Sequence, residues 1–157
     1  MEPVTQYAQY EVDGWGVGEL VLTDDGVLLH HEAPRPGLVA QSHKLHPLAR
    51  RFRDWFRGSR DDFLDVELDL EGYTPFSRAL VDALRAVPYG EVVTYGELSA
   101  LAGRVRAARA AGTFCANNRF ALVVPCHRVV SVDGIGGYGP TGVEYKRRLL
   151  EVEGVSL

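Results

Sequence analysis

The stretch Val123-Val124-Pro125-Cys126-His127-Arg128-Val129-Val130 decides how the rest of this chain is read. A thiol, an imidazole and a guanidinium stand in a row, with two valines on either side. Apolar runs of this kind usually form buried strands, so a buried strand is expected here. Polar groups inside it are costly unless they are paired or put to use. A core cysteine beside a hydrogen-bonded histidine is one reading. The neighbours favour use: Pro125 constrains the backbone just before the thiol, and Arg128 keeps its charge. A glycine-rich segment follows soon after, Gly134-Ile135-Gly136-Gly137-Tyr138-Gly139-Pro140.

Around this stretch lie 157 residues, 46% of them hydrophobic, enough for one compact domain or two small ones sharing a core. No apolar run approaches the roughly 18 residues of a membrane span. Residues 1–6 lack the basic and apolar regions of a signal peptide. Two cysteines, Cys115 and Cys126, are too few for a secreted disulfide scaffold, so free thiols in a reducing cytoplasm are expected. Together with His30, His31, His43 and His46 they do not show zinc-ligand spacing, and no metal is expected. Net charge is −4, yet segment 103–128 contains no acid and carries Arg104, Arg106, Arg109, Arg119 and Arg128. Such a local patch can hold a polyanion whatever the overall balance. A solvated helix face would usually mix both signs.

The fold class expected is α/β (α+β). Segments 6–12, 16–22 and 27–32 read as an antiparallel meander around the turn Asp24-Asp25-Gly26. An amphipathic helix over 44–57 follows, with Leu45, Leu48, Ala49, Phe52 and Phe56 on one face. Alternation over 63–70 predicts a half-buried strand. Past a link at Glu71-Gly72-Tyr73, Thr74-Pro75 opens a helix with Phe76, Leu80, Val81, Leu84 and Val87 on its apolar face. Thr94-Tyr95-Gly96-Glu97 is a capping box, and Gly103 separates its helix from a second one over about 105–116, a helix-turn-helix. Thr141-Gly142-Val143-Glu144 reads as another capping box, opening a last helix that ends near Glu153 at Gly154. The division expected is a scaffold domain over 1–70 and a mostly helical domain over 71–157, with the helix-turn-helix near 94–116 and the reactive segment at 125–128.

Pro125-Cys126-His127-Arg128-Val129-Val130, with Asp133-Gly134 and Gly136-Gly137-Tyr138 after it, resembles the active-site signature of the O6-alkylguanine-DNA alkyltransferases. The likeness extends upstream over 88–95 and 106–110 and downstream to Glu153-Gly154, about half the chain. It implies stoichiometric transfer of an alkyl group from O6-alkylguanine, and more weakly O4-alkylthymine, to Cys126, with no cofactor. The partner implied is double-stranded DNA, bound through the minor groove by a cytoplasmic monomer. His127 would act as base through a water, Glu153 would orient it, and Tyr95 would donate a proton to guanine N3 beside a rotated phosphate. Asn118 would tie the recognition helix to the active-site segment. Arg109 would be the finger that fills the space left by the flipped base. Arg104, Arg106, Ala107, Ala108, Ala110, Thr94 and Arg128 would contact DNA. Pro125, Val129, Tyr138 and Gly139 would line the base pocket, with Gly139 where a serine is common.

The chemistry fits the residue types. An ordinary thiol is mostly protonated at neutral pH and burial raises its pKa further, so Cys126 needs a base. On a strand, His127 would point away from it, so a bend or a bridging water is required. Small side chains on 106–112 would let a helix enter a narrow groove; tight packing inside the protein is the alternative. Cys115 reads as a small core residue. A non-catalytic alkyltransferase-like lesion binder, a helix-turn-helix regulator and a turning-over cysteine hydrolase are the competing functions. Cys126 argues against the first, the alanine-rich helix against the second, and the stability of a thioether separates the third.

Overall fold

The computed structural model describes residues 4–41 and 44–157. Residues 1–3, part of the segment read for a leader, and His43, weighed as a metal ligand, lie outside that description. The chain gathers into two compact units. One runs to Asp69 and takes in Arg119–Val123; the other is Leu70–Asn118 with Val124–Leu157.

In the first unit, β1 (Thr5–Val12), β2 (Gly16–Thr23) and β3 (Leu28–Arg35) form an antiparallel sheet in that order. Alternation along β1 buries Ala8, Tyr10 and Val12 on one face. Tyr10 pairs with Gly18, and a Cβ on that glycine would lie 2.3 Å from the tyrosine ring, so only glycine lets the ring cross β2 there. Helix α1 (Pro47–Phe56) starts later than the pattern predicted, because His46 Nδ1 accepts the Leu48 N–H and caps it there. It buries Leu48, Ala49, Phe52, Phe56 and Trp55, the last unforeseen.

The expected strand over 63–70 is absent. Phe63 takes a left-handed φ of 53°, and only an isolated bridge between Leu28 and Leu68 remains. The aspartates explain this. Asp61 and Asp62 accept the N–H groups of Phe63 and Leu64, and Asp61 and Asp65 both bind Arg51 of α1. Side-chain bonds of this type compete with a β ladder and favour turns.

His31 fastens 119–123 to the sheet. Its Nδ1 lies 2.6 Å from the Ala121 carbonyl and its Nε2 lies 2.6 Å from the Tyr10 hydroxyl. The carbonyl can only accept, so Nδ1 carries the proton and Nε2 accepts from Tyr10. The ring stacks on Phe52 at 3.7 Å, and burial pulls its pKa down to about 3.

The second unit holds α2 (Pro75–Arg85), β4 (Val93–Thr94), α3 (Tyr95–Leu101), α4 (Ala108–Ala116), β5 (Val129–Val130) and α5 (Val143–Val152). Thr74 caps α2 with Pro75 in its first turn, and Thr94 and Glu97 form the predicted capping box of α3. Two boundaries differ from expectation. Helix α4 begins at Ala108, because Arg106 adopts a left-handed φ of 65° that no α-helix accommodates. Helix α5 lacks a side-chain cap: Gly142, at φ 92°, is its N-cap in place of Thr141. Among the described residues no helix is long and apolar enough to cross a membrane.

A histidine held neutral in the fold opposes folding once the unfolded chain can protonate. Because the His31 pKa lies at about 3 against an ordinary 6.5, its contribution is intact above pH 6.5 and is lost as pH falls below it. Denaturant unfolding should show stability dropping by about 1.4 kcal/mol per pH unit from His31 alone between pH 6 and 4. A His31→Gln variant with an undiminished slope in that window would contradict this assignment.

Candidate active site

The segment read as a strand is a turn at its reactive centre. Pro125 sits at φ −79°, ψ 69°, and the Cys126 N–H reaches back to the Val124 carbonyl at 2.8 Å, an inverse γ-turn. The Arg128 N–H donates to the Pro125 carbonyl at 2.9 Å, and Cys126–Arg128 form one turn of 3₁₀ helix. Only Val129–Val130 are extended, as β5, paired in parallel with β4. Proline has no N–H for a ladder, so the strand cannot run through it. Three residues per 3₁₀ turn remove the strand's strict opposition of Cys126 and His127. The Asn118 side chain donates to the Val124 carbonyl at 2.8 Å, bracing the end of α4 against this turn.

Behind the turn, the Glu153 carboxylate is a hub. It lies 2.9 Å from His127 Nε2, accepts Arg128 Nε and Nη2, and accepts the Gly90 N–H at 3.1 Å. Arg128 also donates to the Val87 carbonyl at 2.7 Å. Burial alone would raise the Glu153 pKa; hydrogen bonds from His127 and Arg128, and their charge, reverse this and hold it at about 2. An ionised carboxylate is an acceptor, so His127 Nε2 bears the proton and the lone pair is on Nδ1. Burial keeps the His127 pKa below the ordinary value despite Glu153.

Cys126 is only 3% exposed. Burial pushes its thiol pKa up, and the Cys115 thiol adds to this; Lys146 and Asn118 pull the other way. Cys115, expected as a small core residue, is half-buried beside the Cys126 thiol. Tyr95 opens α3 at the end of β4, and its hydroxyl donates to the Gly137 carbonyl at 3.3 Å. Burial, then the neighbouring Cys115 and Cys126, raise its pKa and keep it protonated. Tyr138 stacks on Tyr145 at 6.3 Å. A Cβ on Gly139, at φ 53°, would come within 3.3 Å of the Ala116 carbonyl oxygen, so glycine lets this loop approach the end of α4.

Of the arginines in the acid-free segment, Arg104, Arg106 and Arg109 are exposed, along with Ala108 and Ala110. Ala107 is half-buried, and Ala111 is the residue α4 buries. The small-residue surface is thus open, and internal packing does not account for it. Arg104 lies over the Phe76 ring at 4.2 Å. Two arginines depart from the expected patch. Arg128, read as a DNA contact, is buried in the ion pair with Glu153. Arg119 donates to the Asp69 carbonyl in the first unit. Thr94 uses its hydroxyl oxygen to cap α3.

Comparison with known proteins bears on the whole arrangement. The family described as 6-O-methylguanine DNA methyltransferase, DNA binding domain, matches residues 75–155. A methylated-DNA–protein-cysteine methyltransferase of Methanopyrus kandleri is 43% identical over 70% of this chain and 81% of its own length. One of Methanothermobacter thermautotrophicus is 38% identical over 90% and 76%. The chain belongs to the 6-O-methylguanine DNA methyltransferase family. The crystal structure of Mycobacterium tuberculosis OGT in complex with DNA is 32% identical, with a TM-score of 0.76 over 94% of this chain and 92% of that one. An O6-methylguanine-DNA methyltransferase from Pyrococcus kodakaraensis gives 0.71 at 28% identity, over 97% and 100%.

For this methyltransferase-family chain, the structure brings Cys126, His127, Glu153, Tyr95, Asn118, Val129 and Tyr138 together within the second unit. Sequence reasoning missed Lys146, which is wholly buried and donates to the Val129 and Gly137 carbonyls. A signal existed: Lys146, Leu149, Leu150 and Glu153 follow the i, i+3, i+4, i+7 spacing of one helical face, where a lysine is out of place.

The burial of Arg128 has a measurable consequence. Replacing it by Met strands part of the Glu153 charge, and breaking a buried pair costs about 3–5 kcal/mol. Urea unfolding of Arg128→Met should show a loss of that order. The folded variant should bind undamaged duplex as the wild type does; weakened binding would return Arg128 to the DNA surface.

Proposed function

We propose that this chain repairs DNA by taking an alkyl group from O6 of guanine, and more weakly from O4 of thymine, onto Cys126 in a single irreversible turnover. The observation carrying this reading is a buried thiol on a proline-set turn, with the His127–Glu153 pair behind it and the Tyr95 hydroxyl beside it.

The chemistry follows from these groups. Nδ1 of His127 takes the thiol proton through a water molecule, and Glu153 stabilises the resulting imidazolium. The sulfur lone pair forms the new S–C bond as the C–O6 bond breaks, leaving its electron pair on guanine. Tyr95 supplies the proton to N3, and the proton that began on sulfur replaces it. A carbonyl oxygen has two lone pairs, so Val129 can bind Lys146 and still read the guanine amino group. The product is a thioether, which water does not cleave, so the protein is consumed.

A base inside a duplex must leave the stack to reach a buried thiol. The open alanine face of α4, with exposed Arg109, suits entry into the minor groove. That groove carries little sequence information, which fits repair of lesions in any context. Exposed Arg104 and Arg106 would contact phosphates, alongside the first turn of α4, which has no side-chain cap. Tyr138 and Gly139 would wall the pocket beside Pro125 and Val129.

Intact mass after incubation with an O6-methylguanine oligonucleotide tests the reading. The wild type should gain one methyl per chain and Cys126→Ser none; guanine product in excess of protein would reject it. A second outcome concerns packing. A methyl added to the close-packed sulfur should cost roughly 1–3 kcal/mol, straining the Asn118 brace and loosening α4. Thermal melting of the methylated protein should show a lower midpoint, and an equal or higher one would rule this strain out.

A further inference from the structure

Tyr138 carries the aromatic ring of the glycine-rich loop 134–140, and the backbone on either side of it is pinned. Before it, the Gly137 carbonyl accepts from the Tyr95 hydroxyl at 3.3 Å and from the Lys146 ammonium at 3.0 Å. The same ammonium binds the Val129 carbonyl, three residues after the acceptor, so the loop is tied to the reactive segment. Gly136 sits close on Tyr95 as well: a Cβ there would lie 3.2 Å from that ring. After it, Gly139 approaches the end of α4, where a Cβ would meet the Ala116 carbonyl oxygen at 3.3 Å. The Tyr138 carbonyl accepts the N–H of Gly142, the N-cap of α5, at 3.3 Å. What remains free is rotation of the side chain. Tyr145, in the first turn of α5, takes up that freedom. The two rings lie 6.3 Å apart between centroids and 8° from parallel, the arrangement of an offset stack. Both residues are half-buried. The stack occupies one face of the Tyr138 ring, so a group entering beside it meets the other face or the edge.

We propose that Tyr145 is a positioning residue that sets which alkyl groups the site accepts: stacked on Tyr138, it stops the pocket wall from retreating, so a methyl passes and a group of benzyl size is held back. The proposal rests on the functional reading above and narrows the substrate class of that site. With the loop backbone fixed on Tyr95, Val129 and α5, the wall can yield only by rotation about the Tyr138 side-chain bonds. Side chains occupy discrete rotamer wells, and leaving the present one breaks the stack. A methyl requires no such movement. A leucine in place of Tyr145 removes the ring that Tyr138 rests on and leaves it space to turn aside.

Single-turnover rates are measured by intact mass on duplexes carrying O6-methylguanine or O6-benzylguanine, for the wild type, Tyr145→Leu and Tyr145→Phe. Tyr145→Leu should raise the benzyl-to-methyl rate ratio about tenfold or more, the lower end of what one methylene of pocket space is worth. Tyr145→Phe keeps the ring and should keep the wild-type ratio. In a Tyr138→Leu background, Tyr145→Leu should move the ratio no further, because it acts through Tyr138. A merely structural role would slow both groups alike. A folded Tyr145→Leu with an unaltered ratio therefore overturns the proposal, as does a Tyr145→Phe ratio that follows Tyr145→Leu. Should Tyr145→Leu fail to fold, NMR of tyrosine-labelled Cys126→Ser on the O6-benzylguanine duplex decides. A Tyr138 ring still held against Tyr145 supports the proposal, and one that has swung away overturns it. Absence of methyl transfer by the wild type strikes the functional reading and this inference with it; methyl transfer with an unaltered ratio strikes the inference alone.

Discussion

The Glu153 carboxylate, lodged at the end of α5, is the interaction on which the rest of the second unit depends. It accepts from His127, Arg128 and the Gly90 backbone at once. These groups come from two separated parts of the chain, and the buried Arg128 guanidinium could not be held there without it. Arg128 cannot neutralise itself, and a guanidinium taken out of water needs both a counter-charge and filled hydrogen bonds. Glu153 meets the first need, and the Val87 carbonyl contributes to the second. The carboxylate is thereby ionised and fixed, and an ionised, fixed acceptor dictates which nitrogen of His127 is protonated. One ion pair braces the turn from behind and sets the tautomer of its histidine.

Burial works against the thiol in the same place. A sulfur shielded from water is protected from adventitious reagents, but its anion is disfavoured. The surroundings of Cys126 hold both influences: Cys115 and desolvation favour the neutral thiol, while Lys146 and the Asn118 amide favour the thiolate. Lys146 and Glu153 lie two turns apart on one face of α5 and its C-cap, so a single helix delivers a cation to the sulfur's side and an anion to the imidazole's side. The parallel pairing of β4 with β5 then sets Tyr95 against the same turn.

The helix expected to meet DNA is organised by different physics. Helix α4 buries Ala111 and leaves Ala108, Arg109 and Ala110 open. Its exposed surface is nearly devoid of bulk, and its start is displaced by the left-handed Arg106. Holding a non-glycine residue in that conformation costs free energy, which the packing around it must offset. The result is a short, uncapped helix with arginines before it and within its first turn. It is linked to the reactive turn through Asn118.

Much of this was legible in local pattern. Alternation predicted the three strands, Thr74-Pro75 and Thr94–Glu97 predicted two helix starts, and Pro125-Cys126-His127-Arg128 marked the reactive centre, because each depends on residues within a turn or a strand of one another. Three of the failures share one cause, a partner far along the chain. Segment 63–70 alternates like a strand but is drawn into turns by Arg51, which is distant in sequence. Arg128 reads as one more positive charge in an acid-free run, and only its encounter with Glu153 makes it internal. Lys146 draws no notice in the sequence and Cys115 reads as a core cysteine until the fold sets both beside one sulfur. Residue identities by themselves determined most of the elements and singled out Cys126 as the candidate nucleophile, since propensity, capping and thiol chemistry are short-range. Tertiary structure alone decided which charges are buried, which nitrogen of His127 carries the lone pair and what surrounds the thiol, because desolvation and Coulomb energies depend on neighbours brought together from far along the chain.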